Sequence, residues 1–229
     1  FFGTGPITIN ANANFSGNRT SLSNAMTLNG CTISGGNSFP SVFSGPVSLT
    51  GIITFNMGNT GGFQISGNVS GSGGITTIGA TQALDVVTRS LLRAGDSVLV
   101  DEPGWSVEYA RLAALGMRVL PVPRGPEGPD LVTMQRLIEA QPAAGRPRLY
   151  VTVSVLHNPT GASRSLQSAH RVLQLAQAHD IASVEDDTYA HLERAHLPRL
   201  CALDGLQRTI VVGGFSKIVA PGWRVGFMA

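Results

Sequence analysis

The pattern of apolar and polar residues divides this 229-residue chain into two regions with different periods. Up to about residue 75, short alternating stretches such as 7–9, 47–49 and 52–55 are interrupted by Gly, Asn and Ser about every ten residues. This rhythm predicts short β-strands joined by turns. The phrase Gly-Pro-Ile-Thr-Ile at 5–9 returns as Gly-Pro-Val-Ser-Leu at 45–49, which predicts stacked rungs of a β-solenoid. A flexible Gly/Ser linker is the alternative.

From about residue 79 the period changes to that of helices alternating with strands. Helical spacing predicts helices over 81–93, 131–140 (capped by Asp130) and 166–178. Between them lie short apolar, β-rich runs: Ser97–Val100, Met117–Val122, Leu149–Val155, Ile181–Val184 and Thr209–Val212. The alternation predicts an α/β fold, a mostly parallel sheet with helices on both faces. In such sheets ligands bind beyond the carboxyl ends of the strands.

Composition changes at the same point. Residues 1–75 contain one charged side chain, Arg19, and 15 of the 28 glycines, whereas every acidic residue lies downstream. We therefore predict a boundary between a β-rich Gly/Asn/Ser segment (1–75) and an α/β segment (76–229), joined by a natural fusion or as a joined fragment.

A net charge of +2 indicates no nucleic-acid partner, and no apolar stretch approaches the roughly 20 residues that span a membrane. Cys31 and Cys201 lack metal-ligand spacing, so no metal is predicted.

The chain has a single lysine, Lys217, which follows Ser216 and precedes Arg224 by seven residues. Imine chemistry on a phosphorylated aldehyde requires such a set: an amine as nucleophile, with a hydroxyl and a guanidinium that hold phosphate. A solvated surface lysine is the alternative.

Two motifs near the first predicted helix could contact the same ligand. Residues 79–84 open the helix, where free N–H groups, together with the Thr81 hydroxyl, could hold a phosphate. Trp105 follows Asp-Glu-Pro-Gly, and its indole could stack on a heteroaromatic ring. A plain helix cap and a core tryptophan are the respective alternatives.

Two further motifs follow apolar strands. Asn158, in His-Asn-Pro-Thr-Gly at the end of the longest apolar strand, could donate to a phenolate oxygen, although a simple Asn-Pro turn fits as well, and His157 is interpreted as a structural neighbour. In Glu-Asp-Asp-Thr-Tyr, the Asp186 carboxylate could face a pyridine nitrogen and Tyr189 could bond the ring oxygen. A calcium or magnesium site is the alternative for the three acids.

Together and in this order, these motifs resemble those of the class I/II aminotransferases, pyridoxal 5′-phosphate enzymes of fold type I, over residues 76–229. The resemblance implies amino transfer between an amino acid and a 2-oxo acid by a cytoplasmic homodimer, with Lys217 forming the internal aldimine. It also implies that Asp186 pairs with the pyridine nitrogen and that Tyr189 and Asn158 bond the 3′ oxygen. The remaining implied contacts are Trp105 on the ring and Ala80, Thr81, Ser216 and Arg224 on the phosphate.

Two other interpretations stay open. The same motifs resemble the effector domain of MocR-type transcription regulators, which use the same cofactor. The strand repeats of residues 1–75 resemble those of autotransporter passenger domains, which implies an extracellular structural protein.

The chain also departs from the aminotransferase pattern. Gly214 stands where the family commonly has a second hydroxyl, and the arginine that would hold the substrate carboxylate has no counterpart. The family unit begins well before Gly79 and continues past Ala229. We therefore expect cofactor contacts without full turnover, and an aggregation-prone chain.

Overall fold

The computed structural model describes residues 4–11, 14–17, 21–35, 41–57, 63–65, 69–71, 74–77, 79–219 and 225–229. The chain forms two compact units: the first comprises Phe1–Leu91 and Gly213–Ala229, and the second comprises Leu92–Val212. The predicted boundary between residues 75 and 76 stays a prediction. No helix within the described ranges is both long and apolar enough to cross a membrane.

The elements follow one another in the order β1–β11, α1, β12, α2, β13, β14, α3, β15, α4, β16, α5, β17, β18. The strands are β1 Ile7–Ile9, β2 Asn14–Gly17, β3 Ser21–Leu22, β4 Met26–Asn29, β5 Thr32–Gly35, β6 Ser41–Phe43, β7 Val47–Thr50, β8 Ile52–Met57, β9 Phe63–Ile65, β10 Val69–Gly71, β11 Gly74–Thr77, β12 Ser97–Glu102, β13 Arg118–Gly125, β14 Gly128–Pro129, β15 Leu149–Thr152, β16 Ala182–Asp186, β17 Thr209–Gly214 and β18 Gly226–Met228. The helices are α1 Ala80–Leu91, α2 Ser106–Ala114, α3 Leu131–Glu139, α4 Leu166–Ala178 and α5 Leu200–Asp204.

In the first unit, every third strand pairs in parallel. The stacks are β1-β4-β7-β10, β3-β6-β9 and β2-β5-β8-β11, and β18 pairs antiparallel with β11. Equivalent apolar residues stack in register, as in Met26 on Val47 and Leu28 on Leu49, and their side chains are buried. The stacking fits the repeated phrases in the sequence, while the resemblance to passenger repeats stays a prediction.

In the second unit, the strands are ordered β14-β13-β12-β15-β16-β17, and all neighbours are parallel except β14 with β13. Leu99 and Tyr150 lie on one face and pack with buried residues of α3, α4 and α5. Val100 and Val151 lie on the opposite face and are also buried. The strands are therefore apolar on both faces, as is usual in parallel sheets.

The predicted helices and strands of this region are present, with shifted ends. Asp130 caps α3 as predicted, because its side chain accepts from the backbone N–H groups of Val132 and Thr133. The prediction of a strand over Leu149–Val155 was wrong at its end, since β15 stops at Thr152. There the Val153 carbonyl accepts from the Arg124 side chain and the Ser154 carbonyl accepts from the Arg164 N–H, so neither continues the ladder.

Candidate functional site

The first unit brings the start of α1 close to the end of β17. A side chain added at Gly214 would place its Cβ 3.3 Å from both the Ala80 nitrogen and the Val225 carbonyl oxygen. One added at Gly226 would lie 2.7 Å from the Gly79 carbonyl carbon, and Gly79 itself has a φ of +83°. Only residues without a side chain allow these three backbone segments to approach so closely. Gly214 in particular leaves space in front of the Ala80 amide.

The first amides of α1 can bind an anion. Gln82 and Ala83 donate to the Gly79 carbonyl, at 3.2 and 3.3 Å. The N–H groups of Ala80 and Thr81 belong to the first turn, where a helix offers no acceptor of its own. Ala80 is partly buried and Thr81 is exposed. A phosphate oxygen in front of this helix end would meet two amides, a hydroxyl and the positive end of the helix dipole.

Ser216 and Lys217 lie on a turn that follows β17. The Phe215 N–H donates to the Val225 carbonyl at 3.0 Å, and Val219 closes the turn by donating to the Phe215 carbonyl at 2.9 Å. The Phe215 ring lies 6.0 Å from the Phe227 ring. On this turn Ser216 is partly buried and Lys217 is exposed. Arg224 lies outside the described residues.

The second unit brings together a different part of the predicted site. β12, β15 and β16 are adjacent and parallel, so their carboxyl ends meet at one edge of the sheet. Trp105 and Asn158 come shortly after β12 and β15, and Asp186 ends β16. We call these three residues the carboxyl edge. Trp105 and Asn158 are partly buried, and so is Tyr189, which precedes a 3-10 turn at Ala190–Leu192.

The outer two of the three consecutive acids have structural partners. Glu185 is fully buried and accepts from the backbone N–H groups of Leu200 and Cys201 at 2.8 and 2.9 Å, so it caps the start of α5. Asp187 accepts from Arg199 Nε at 2.8 Å. Because successive residues of a strand face opposite sides of the sheet, Asp186 points away from Glu185 and α5.

Within the described ranges, Asp186 has neither a cation, as Asp187 has, nor a helix start, as Glu185 has. Its Oδ1 accepts from the Thr188 N–H at 2.9 Å, and within the described ranges it takes part in no ion pair. Burial raises its pKa, hydrogen bonding by Thr188 opposes the rise, and the charges of Glu108 and Asp187 add to it. Such a carboxylate gains most from a cationic or proton-bearing ligand atom. No cluster of three or more potential metal ligands was found within the described part of the chain.

Sequence reasoning missed a buried charge cluster beside the carboxyl edge. Asp101 accepts from Arg124 Nη1 and Thr152 Oγ1, both at 2.7 Å, and from the Tyr150 hydroxyl. Arg164 Nη2 donates to the same Thr152 oxygen. Burial opposes ionisation of Asp101, but the charges of Arg124 and Arg164, together with the hydrogen bonds from Tyr150 and Thr152, outweigh it and hold its pKa below the usual range.

His157 also belongs to this cluster. Its Nε2 lies 3.7 Å from Asp101 Oδ2, and its Nδ1 lies 2.9 Å from Thr160 Oγ1. Burial, with Arg124 next in size, lowers the pKa of His157 to about 4, so the ring is neutral at neutral pH. A signal in the sequence could have indicated the cluster: Asp101 directly ends the apolar run Val98–Val100 and shares a strand face with Leu99.

A comparison with protein families matches residues 72–229 to "Aminotransferase class I and II". The 2-aminoadipate transaminase of Thermus thermophilus is 35% identical over 158 residues, which are 67% of this chain and 39% of that protein. An uncharacterized HTH-type transcriptional regulator of Bacillus subtilis, YcxD, is 31% identical over 152 residues, or 66% of this chain and 33% of that protein.

Solved aminotransferases share the fold. The crystal structure of LysN, the α-aminoadipate aminotransferase of Thermus thermophilus, complexed with N-(5′-phosphopyridoxyl)-L-leucine, superposes with a TM-score of 0.61 at 34% identity. That match covers 67% of this chain and 40% of the LysN chain. The chain thus spans about two fifths of the length of these aminotransferases.

The residues present fit a pyridoxal phosphate. Gly214 places no side chain beside the Ala80 amide, and Asp186 is a partly buried carboxylate suited to a protonated ring nitrogen. The motifs that carried the resemblance lie within the matched range 72–229, and the α/β fold agrees with that of the solved aminotransferases. The chain belongs to the class I and II aminotransferase family.

Proposed function

We propose that this chain binds pyridoxal 5′-phosphate and serves in amino transfer between an amino acid and a 2-oxo acid. The observation that supports this most is the position of Asp186, whose partly buried carboxylate takes part in no ion pair within the described ranges, while both neighbouring acids are held by an ion pair or a helix start. A buried charge without a partner is costly, so it is retained where a ligand supplies that partner.

When bound, pyridoxal phosphate supplies a conjugated ring that accepts the electron pair left when a proton leaves the substrate carbon bearing the amino group. Asp186 holds a proton on the ring nitrogen, which makes the ring a better acceptor. Trp105 stacks on the ring and excludes water from it, and Asn158 and Tyr189 hydrogen-bond its oxygen. Lys217 would hold the aldehyde carbon through its Nζ; once the substrate amine has taken its place, the same amine would carry the proton that leaves the substrate carbon.

The phosphate is held by the residues of the first unit. The amides of Ala80 and Thr81 donate to its oxygens, as do the hydroxyls of Thr81 and Ser216. Arg224 supplies a permanent positive charge. Because Gly214 contributes no hydroxyl, the backbone amides carry more of the phosphate binding than in relatives with a hydroxyl there.

The test uses the fact that the chain has one lysine. The full chain is incubated with pyridoxal 5′-phosphate, reduced with borohydride and digested, and the modified peptide is located by mass spectrometry. We expect the label on Lys217, and we expect a Lys217→Arg variant to carry no more than the label on the N-terminal amine. Pyridoxal without phosphate should label Lys217 far more slowly. A folded wild-type chain labelled only at its N-terminal amine would contradict the proposal.

A second candidate function is ligand sensing in a transcription regulator of the MocR type. The similarity to the HTH-type regulator YcxD favours it. Both functions predict label on Lys217, so a different measurement separates them. Loss of the visible cofactor band upon addition of an amino acid, with release of the matching 2-oxo acid, supports transfer. A band that shifts without release of 2-oxo acid supports sensing.

We also propose a cytoplasmic location and a homodimer for the complete family unit, and a passenger-like β-solenoid for the N-terminal strands. The parallel stacks in the first unit support the last of these. Cell fractionation tests the location, since recovery in the extracellular fraction would favour the passenger interpretation. Sedimentation of the purified chain at several concentrations tests the dimer.

A further inference from the structure

We propose that Asp101 is a positioning residue that fixes Trp105 and Asn158 together through one buried carboxylate. The inference rests on the proposed function, because it concerns the edge that would hold the cofactor ring. Asp101 itself lies on the face of the sheet covered by α3, α4 and α5, the same face as Leu99. It therefore acts through the backbone of the two loops rather than by contact with the ring.

Asp101 joins three neighbouring strands at the point where they end. It is the penultimate residue of β12, its carboxylate accepts from Arg124 on β13, and it accepts from Tyr150 and Thr152 on β15. All four side chains are buried. Charge-assisted hydrogen bonds in such surroundings are stronger than neutral ones. The relative positions of the three strand ends are thus set at one carboxylate.

The loop leading to Trp105 is folded back onto Asp101. The Tyr109 hydroxyl, on α2, donates to the Asp101 carbonyl oxygen. A side chain added at Gly104 would overlap both the Tyr109 hydroxyl and this carbonyl. The residue directly before Trp105 therefore packs against the backbone of Asp101, and any shift of Asp101 is passed to Trp105.

The loop leading to Asn158 is held by two arginines: Arg124, which binds Asp101 directly, and Arg164, which is connected to Asp101 through the Thr152 hydroxyl. Arg124 uses the same Nη1 to donate to the Val153 carbonyl at 2.8 Å. The Arg164 N–H donates to the Ser154 carbonyl at 2.7 Å, while its Nη2 donates to Thr152 Oγ1. His157 lies between Asp101 and Thr160. The position of residues 153–157 thus depends on the charge cluster, and the position of Asn158 depends on that segment.

Amide hydrogen exchange on the full chain, without cofactor, tests this coupling. Asp101→Asn should speed exchange about fivefold to tenfold in two separate peptides, one covering 103–109 and one covering 153–162. The matched control is Ser97→Ala, which removes a buried hydrogen bond of 2.9 Å to the Gly145 carbonyl at the opposite end of the same strand. The control should leave both peptides unchanged. Faster exchange in only one peptide, or in the control as well, would overturn the inference.

Asp101→Asn leaves Arg124 and Arg164 without a counter-charge, so it could fail to fold. Tyr150→Phe then replaces it, because it removes one hydrogen bond to Asp101 and keeps the ring. A smaller increase, about threefold, is expected in the same two peptides. Unchanged exchange in a folded Tyr150→Phe variant would count against the inference.

A cofactor arm separates the inference from the function on which it rests. Once wild type has been shown to take the label at Lys217, the variants are compared with it. Tyr150→Phe should weaken pyridoxal 5′-phosphate binding about fivefold and reduce the visible circular dichroism of the bound ring. Ser97→Ala should change neither. If both variants behave alike, the inference fails and the proposed function stands. If wild type takes no label at Lys217, both fail.

Discussion

Arg199 Nε donates to Asp187 Oδ1 at 2.8 Å, and this ion pair explains how three consecutive acids can end a buried strand. Asp187 pairs with the Arg199 guanidinium, and Glu185 caps the start of α5. Within the described ranges, Asp186 takes part in no ion pair and caps no helix, and its carboxylate accepts from the Thr188 N–H. The run of acids therefore has two structural members and one member available for a ligand.

Replacing Arg199 should expose the structural role of Asp187. In Arg199→Gln the mostly buried Asp187 carboxylate loses its cation, and we expect the free energy of unfolding to fall by about 1–2 kcal/mol. The control is Arg208→Gln, whose partner Asp180 has a side chain that is 91% exposed, with an expected loss under about 0.5 kcal/mol. Urea unfolding at pH 7 measures both. Equal losses in the two variants would show that Asp187 does not depend on Arg199.

Replacing Asp186, unlike replacing Arg199, should raise the free energy of unfolding of the cofactor-free chain. Burial raises the pKa of Asp186, so as pH rises the folded state keeps a proton that the unfolded chain has released, and stability falls through this window. The penalty begins as pH rises past the ordinary pKa of aspartate and grows from there up to the raised pKa of the folded chain. Asp186→Asn keeps the oxygen that accepts from Thr188 and removes the penalty.

The Asp186→Asn variant should therefore be more stable than wild type at pH 7. The difference should disappear near pH 4, about the pKa of an unperturbed aspartate. Urea unfolding at several pH values, without pyridoxal phosphate, measures it. A variant less stable than wild type at pH 7 would mean that the Asp186 charge has a partner within the folded chain.

Residue 104 must be glycine because the Tyr109 hydroxyl and the Asp101 carbonyl oxygen both lie where a Cβ would be. A Cβ there would overlap the Tyr109 hydroxyl and the Asp101 carbonyl, so Gly104→Ala should cost about 1–3 kcal/mol. It should also alter the near-ultraviolet circular dichroism of Trp105. At Gly145, where the nearest atom to an added Cβ is 3.4 Å away, alanine should change stability by less than about 0.5 kcal/mol. Similar melting temperatures for both variants would contradict this account.

The sequence predicted the α/β fold because periodicity is strong in long amphipathic elements. The helix over 166–178 was predicted at both ends because its apolar residues recur at helical spacing, and the structure adds a cap at Ser165. Short elements gave no such signal. α5 has five residues and depends on Glu185, a residue 15 positions before Leu200, to cap its start.

The candidate site was predicted where a motif carries its own chemistry. Asp186 and Lys217 stand in phrases specific enough to be interpreted alone or together, although their roles stay proposals. Asp101, Arg124 and Arg164 were missed because each is an ordinary charge in the sequence, and only the pairing of β12 with β13 and the return of the loop after β15 bring them together. The premature end of β15 had the same cause, since the Arg124 side chain binds the Val153 carbonyl and the Arg164 backbone N–H binds the Ser154 carbonyl.

His157 should make stability depend on pH below neutrality. Its ring is 2% exposed and lies among Asp101, Arg124 and Arg164, and its pKa is lowered to about 4 from an ordinary 6.5. Between these two pH values the unfolded chain binds a proton at this histidine and the folded chain does not. The contribution of His157 to the free energy of unfolding is therefore complete above pH 6.5, and up to about 3 kcal/mol is lost as pH falls toward 4. His157→Gln should flatten this part of the curve, whereas a variant of the exposed His170, His170→Gln, should leave it unchanged. Urea unfolding between pH 4 and 7 measures the slopes, and parallel curves for wild type and His157→Gln would show that another group controls them.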